Sequence, residues 1–124
     1  MYQLSISREF IARHFLIGGD FGHENFEHSH HYRAEILISG DSLDQHGYLI
    51  DILALETALL EILGKYRDKV LNDLPAFRGL NPSLEHFSRL VWEDLRDRLE
   101  LTGREMTVRM WESATDWAAF TAKI

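Results

Sequence analysis

The sequence contains no cysteine at all. Disulfide bridges, thiolate metal sites and cysteine nucleophiles are therefore excluded together. Basic residues are also few, because 13 lysines and arginines stand against 20 aspartates and glutamates and give a formal net charge of -7. With no cluster of lysine or arginine, the chain has no surface suited to a phosphate backbone. We therefore expect no nucleic acid partner.

Long apolar runs are missing as well. The first ten residues, MYQLSISREF, show neither the pattern of a signal peptide nor a segment long enough to cross a bilayer. We therefore expect no membrane partner and a cytoplasmic location. The chain does have 124 residues with 45% hydrophobic content, which predicts a single globular domain over residues 1–124.

The spacing of the apolar residues predicts the element order β-β-α-α-β-β. Apolar and polar residues alternate over the first sixteen positions and again over 32–38, which is typical of two half-buried strands. Helical spacing follows over 51–64, where a glycine ends the run, and again over 83–99. Two further strands are predicted in EMTVRMWE and WAAFTAKI, with a turn at 113–116 between them.

Four of the seven histidines lie within residues 23–31. His28 and His30 are two positions apart on the second predicted strand, so their side chains leave the same face. His14 is on the inward face of the first strand, and pairing of the two strands would bring three imidazoles together. Three histidine nitrogens with an open fourth position are typical of a catalytic zinc site. For a bare H-x-H pattern, however, strand histidines bonded to the backbone are the simpler interpretation.

Five short motifs occur together in the chain: FIARH at 10–14, HSHHY at 28–32, GYLIDI at 47–52, NPSLEH at 81–86 and WES at 111–113. In this order they resemble the F-x-A-x-H, H-G-H-N-Y, G-M-V-I-D-F and N-P-T-x-E-N motifs and the C-terminal glutamate segment of one family. That family is the 6-pyruvoyl-tetrahydropterin and 6-carboxy-tetrahydropterin synthases. The resemblance implies an α+β tunnelling fold, in which an antiparallel four-stranded sheet carries two helices on one face.

The resemblance also implies roles for particular residues. The family's zinc ligands match His14, His28 and His30. Glu112 matches the carboxylate that binds the pterin ring, where it can accept two hydrogen bonds from a 2-amino-4-oxo-pyrimidine edge. A solvated glutamate at a strand end is the alternative, but the parity of Glu112 with Met110 favours an inward side chain. Ser83 and Glu85 match other pterin contacts, although a simple helix N-cap explains Ser83 equally well.

Two departures from the family pattern concern the reacting groups. Glu24 stands four residues before the first histidine of H-x-H, where the family's synthases have a catalytic cysteine. The family's Asp-His pair between the helices falls on Arg67 and Asp68 without a gap, or on Asp68 and Lys69 with one gap. The histidine is absent in either alignment. We therefore expect Glu24 to act as general base, with Asp68 as the next candidate.

Three functions are compatible with these residues. The first is a zinc-dependent lyase that uses Glu24 as base on a 7,8-dihydropterin. Family members with glutamate at this position resemble an aldolase-like branch of the family, which converts dihydroneopterin to 6-hydroxymethyl-dihydropterin in folate synthesis. The second is the tetrahydropterin synthase reaction on 7,8-dihydroneopterin triphosphate. The third is binding of a pterin or related heterocycle without turnover. Three imidazoles also accept iron or nickel, so the sequence leaves the native metal open.

The resemblance further implies a homo-oligomer. In the family, trimers join their sheets into a barrel and two barrels stack. A four-stranded sheet with free edges is a template for such association. We therefore expect a trimer or hexamer, with each pterin pocket at a boundary between subunits.

Overall fold

The structure, a computed structural model, describes residues 1–124. Its main elements are β1 (Tyr2–His14), β2 (His28–Gly40), α1 (Ile52–Leu63), α2 (Leu84–Arg98), β3 (Glu105–Trp111) and β4 (Trp117–Lys123). The predicted order β-β-α-α-β-β is confirmed. Neither helix combines the length and the apolar character that crossing a membrane requires.

The four strands form one antiparallel sheet in the order β1-β2-β3-β4. Ile6 pairs with Ile36, and Ile36 pairs with Val108, so even-numbered side chains of neighbouring strands leave the same face. These side chains are buried beneath the helices and form the core with them, whereas most odd-numbered strand residues are partly or fully exposed. The indole of Trp92 in α2 donates to the backbone oxygen of Met106 in β3 at 2.8 Å, which fixes that helix on the sheet.

Side-chain caps begin both helices where the sequence predicts them. Asp51 accepts bonds from the backbone N–H groups of Leu53 and Ala54, and Ser83 accepts one from His86. Helix α1 ends at Leu63 with Gly64 as its C-cap, where the sequence predicts the helix end. Gly64 has a right-handed φ of -59°, so the chain continues in turns beyond it. Within these turns, Asp68 has a left-handed backbone conformation, with a φ of 60°.

The connection between the helices, residues 65–81, returns along the outer edge of β1. The N–H of Asp68 donates to the carbonyl of Ile11 at 2.7 Å, and the N–H of Arg13 donates to the carbonyl of Lys69 at 2.9 Å. These bonds cover the last part of an otherwise free strand edge. They also bring the connection beside the point where β1 ends.

Candidate metal centre

Three histidines converge where β1 ends and β2 begins. His14 and His28 are directly paired across the two strands, and His30 follows on the same face. The ring centroids of His14 and His28 are 4.5 Å apart, and each lies 4.9 Å from that of His30. One nitrogen of each ring lies within 4.8 Å of those of the other two. These three residues can hold one metal ion.

Backbone carbonyls orient two of the rings. Nδ1 of His14 lies 3.0 Å from the oxygen of Pro82, and Nδ1 of His28 lies 2.8 Å from that of Phe26. A carbonyl only accepts, so Nδ1 carries the proton in both rings and Nε2 keeps its lone pair. Nε2 of His28 and Nε2 of His30 are buried without any hydrogen-bond partner. Because such orphaned atoms are uncommon, and a metal ion would satisfy them, the donor set fits a metal.

Burial keeps His14 neutral. Only 4% of His14 is exposed to solvent, and desolvation lowers its pKa from 6.5 to about 4. The hydrogen bond to Pro82 and the charge of Glu24 act in the opposite direction, while His28 and His30 lower the pKa further. The neutral imidazole is the form that binds metals.

Two other side chains border the three histidines. The hydroxyl of Tyr32 lies 3.3 Å from Nδ1 of His14, and burial, followed by the charge of Glu112, raises the pKa of this phenol. An oxygen of Glu112 lies 4.0 Å from Nε2 of His30. Tyr32 was not among the predicted site residues. The sequence signal that could have identified it is its position two residues after His30, on the same face of β2.

Glu112 lies just past the end of β3 rather than within it. It approaches His30 on the helix side and also lines a cleft of about 350 Å³ on the opposite face, with Glu9, His31 and Arg33 among the other lining residues. The approach to His30 agrees with the inward side chain that strand parity favours, although the pairing of β3 with β2 ends at Trp111.

Glu24 lies in a short 3₁₀ helix, Gly22–Asn25, within the loop that joins β1 to β2. Its side chain is exposed. Its backbone oxygen accepts a 2.7 Å hydrogen bond from the N–H of Leu16, two residues past His14. The loop therefore folds back so that Glu24 returns to the end of β1.

The other predicted residues make no side-chain contact with the histidines through hydrogen bonds or ion pairs. Ser83 Oγ accepts from the N–H of His86 at 3.1 Å and so acts as a helix cap. Glu85 is exposed in the first turn of α2, and Asp68 is exposed in the connection between the helices. No hydrogen bond or ion pair joins these three side chains to the three histidines. Pro82, directly before Ser83, provides the link through its backbone oxygen.

His31 and the largest cavity lie away from this centre. His31 has its ring on the opposite face of β2, 3.7 Å from a carboxylate oxygen of Glu9. The cavity, of about 880 Å³, lies at the other end of the sheet, beside the first residues of β1. Its carboxylates Asp44 and Asp51 already accept local backbone N–H bonds. Both carboxylates that line the cavity are therefore already engaged locally.

Residues 3–123 match the family model described as 6-pyruvoyl tetrahydropterin synthase. The chain belongs to this family. The 6-carboxy-5,6,7,8-tetrahydropterin synthase of Bacillus subtilis is 25% identical over 129 residues, which cover 98% of this chain and 86% of that protein. Members of the 6-pyruvoyl tetrahydropterin synthase family are lyases of tetrahydropterin biosynthesis and are typically metal-dependent, so a small pterin is the expected class of substrate.

Solved structures of the 6-pyruvoyl tetrahydropterin synthase family have the same fold. The Caenorhabditis elegans enzyme superposes with a TM-score of 0.83 at 17% identity, over 98% of this chain and 96% of that one. A catalytic-residue mutant of the Plasmodium vivax enzyme, with cysteine in place of glutamate, gives 0.82 at 15% identity, over 99% and 98%. The predicted tunnelling fold is therefore confirmed.

Proposed function

We propose that this protein is a zinc-dependent lyase that acts on the side chain of a 7,8-dihydropterin, either dihydroneopterin or one of its phosphates. The observation that carries the proposal is the cluster of three histidines with two carboxylates beside it. The backbone of Glu24 is bonded to Leu16, two residues past His14, and Glu112 lies 4.0 Å from His30. A metal centre between a candidate base and a candidate ring anchor suits proton transfer on a small heterocycle.

The zinc ligands in this proposal are His14, His28 and His30. Three imidazoles leave a fourth tetrahedral position open, which is characteristic of catalytic zinc. When bound, zinc supplies Lewis acidity towards an oxygen of the pterin side chain. The hydrogen bonds from His14 to Pro82 and from His28 to Phe26 keep the Nε2 atoms of these two rings aimed at the centre.

Glu112 binds the pyrimidine edge of the pterin. Its fixed negative charge, just past the end of β3, can accept two N–H bonds from an aminopyrimidinone ring. Ser83 and Glu85 at the start of α2 are proposed as further pterin contacts. Support for them comes from Pro82, because its hydrogen bond to His14 places this helix start beside the metal ligands.

Glu24 removes the proton from the substrate side chain. Its side chain is exposed, and the loop carries its backbone to Leu16, two residues past His14. With no cysteine in the chain, a carboxylate is the base available at this place. The Plasmodium vivax relative supports a carboxylate in this role, since its mutated catalytic residue is a glutamate. Asp68 is the second candidate, and the roles of its neighbours Arg67 and Lys69 are open.

A homo-oligomer, either a trimer or a hexamer, completes the proposal. The outer edge of β4 (Trp117–Lys123) has no strand partner, and only the last part of β1 is covered at the other edge. Joining these edges between subunits would remove both templates for uncontrolled association. The pterin pocket would then lie at a subunit boundary. A cytoplasmic location stays a prediction.

The second candidate is the synthase reaction on 7,8-dihydroneopterin triphosphate. Its support is the family match and the 6-carboxy-tetrahydropterin synthase of Bacillus subtilis, which resembles almost the whole chain. The two candidates use the same metal centre and the same ring anchor. They differ in which bond of the pterin side chain is broken.

Product analysis tests the proposal. The zinc-loaded protein is incubated with dihydroneopterin and, separately, with its triphosphate, and products are identified by mass spectrometry. Formation of 6-hydroxymethyl-dihydropterin supports the proposed lyase. A pyruvoyl or carboxy product supports the second candidate instead. Pterin binding without any product from either compound would contradict both and identify a binding protein.

A further inference from the structure

The loop that carries Glu24 is bonded to all three asparagines of the chain. Asn72, in the connection between the helices, makes two bonds to one residue. Its Oδ1 accepts from the N–H of Phe15 at 2.9 Å, and its Nδ2 donates to the oxygen of Phe15 at 2.9 Å. Asn81 Oδ1 accepts from the N–H of Ile17 at 3.2 Å. Residues on both sides of Leu16 are therefore held by the inter-helix connection.

Leu16 is the residue on which the loop closes. Its N–H donates to the oxygen of Glu24 at 2.7 Å, and its own oxygen accepts from Asn25 Nδ2 at 3.1 Å. Asn25 Oδ1 also accepts from the N–H of Phe21 at 2.7 Å. The path from Asn72 to the backbone of Glu24 thus contains only Phe15 and Leu16.

The side chain of Asn72 takes the place of a neighbouring strand's peptide group beside Phe15. The pairing of β1 with β2 ends at His14 and His28, so Phe15 has no ladder partner for its N–H and C=O groups. A carboxamide offers an acceptor and a donor side by side, as a neighbouring peptide group does. Aspartate offers only acceptors, and an apolar side chain offers neither. The requirement for asparagine at position 72 therefore follows from the geometry.

We propose that Asn72 is a positioning residue that sets the place of the Glu24 carboxylate relative to the metal histidines. It holds Phe15, which follows His14 directly, and through Leu16 it holds the turn that contains Glu24. The inference rests on the proposed role of Glu24 as base. The side chain of Asn72 makes no hydrogen bond to His14, His28, His30 or Glu24, so its effect runs through this backbone path.

The first test measures the loop itself. Hydrogen exchange at the amides of Phe15 and Leu16 is compared among wild type, Asn72→Ala, Asn72→Asp and the control Asp73→Ala. Asp73 is exposed in the same short turn and makes no side-chain bond. We expect exchange to rise about ten-fold or more in Asn72→Ala, which loses both hydrogen bonds, and by less in Asn72→Asp, which keeps the acceptor for the Phe15 N–H but loses the donor to the Phe15 oxygen. No rise is expected in the control. Unchanged exchange in Asn72→Ala would overturn the proposal whatever the activity.

The second test is a double-mutant cycle on the substrate identified by product analysis. Asn72→Asp should lower kcat by roughly ten- to hundred-fold with little change in KM, because the base is misplaced while pterin binding is retained. If Asn72 acts through Glu24, adding Asn72→Asp to Glu24→Gln costs little more. Additive losses would overturn the positioning role and leave Glu24 as base. A fully active Glu24→Gln single variant would overturn the base itself, which is a separate result.

Asn72→Asp is the main variant because it keeps the size of the side chain and the acceptor for the N–H of Phe15. Urea unfolding and metal content are measured on every variant. A variant with normal metal content and cooperative unfolding, but raised loop exchange and lowered kcat, meets the expectation. Exchange that rises equally throughout the chain would show general destabilisation and count against a positioning role.

Discussion

Nδ1 of His14 and the carbonyl oxygen of Pro82 lie 3.0 Å apart, although the two residues are 68 positions apart in the chain. This hydrogen bond joins the end of β1 to the residue directly before the cap of α2. Through this bond, the segment that begins the second helix fixes the tautomer of one candidate metal ligand. The metal end of the sheet and the start of α2 therefore behave as one unit.

Single alanine variants should show which histidines bind the metal. We expect wild type to bind one zinc per chain, and each of the three variants to lose most of it, because two imidazoles rarely hold zinc alone. The variants are His14→Ala, His28→Ala and His30→Ala. Metal analysis after dialysis measures the effect, and His31→Ala is the matched control on the opposite face of β2. Full zinc retention in both His28→Ala and His30→Ala would refute the centre.

Glu24→Gln should reduce turnover by about 10² to 10⁴ because it keeps size and polarity but removes the base. Zinc content and pterin affinity should change little. Steady-state kinetics on the identified substrate measures the effect. Glu27→Gln is the control, since Glu27 lies near the same loop and pairs only with Arg13 at 3.3 Å. Full activity in Glu24→Gln would make the assignment wrong, and Asp68→Asn would then be the variant to examine.

Glu112→Gln should weaken pterin binding by roughly ten- to hundred-fold, because a charged acceptor of ring N–H bonds becomes a neutral amide. Zinc content should stay at the wild-type level. Calorimetric titration with a non-reacting pterin measures affinity. Glu9→Gln is the matched control, as Glu9 lines the same cleft on the outer face. Equal affinities for wild type and Glu112→Gln would exclude the ring anchor.

The metal-free protein should lose stability in acid because of His14. Its folded-state pKa is about 4, against 6.5 for an unperturbed histidine. Between these values the unfolded chain binds a proton that the folded chain does not, so the free energy of unfolding falls as pH falls from about 6.5 towards about 4. The loss attributable to His14 is on the order of 3 kcal/mol.

Urea unfolding of the metal-free protein at about pH 7 and about pH 4.5 checks this expectation. His14→Gln keeps a donor for the Pro82 oxygen but does not titrate, so it should lose less stability in acid than wild type does. The carboxylates are common to both proteins and cancel in the comparison. An identical pH dependence in the two proteins would contradict the assignment to His14.

Light scattering should give a mass of three or six times 14.5 kDa. The free edge of β4 and the partly free edge of β1 are the expected contacts between subunits. The measurement is made at micromolar concentration, with and without zinc. A mass of one chain under these conditions would refute both the oligomer and a pterin pocket shared between subunits.

The strands and helices are largely encoded by local spacing. Alternation predicted β1 and β2, and a period near 3.6 predicted α1 and α2, because each pattern states which side of an element faces the core. The ends are less well predicted. The alternation runs to residue 16, yet β1 ends at His14, because the backbone of Phe15 bonds to Asn72 rather than to β2.

The sequence by itself predicted the fold and a shared face for the three histidines, since strand parity fixes the face of each side chain. The register that sets His14 opposite His28 came from the tertiary structure. Only the tertiary structure decided how that centre is held. The Pro82 carbonyl on His14, the Asn72 bonds to Phe15 and the approach of Glu112 to His30 all join segments distant in sequence. Periodicity encodes the face of each element, whereas contacts between distant segments depend on how loops pack once the elements are assembled.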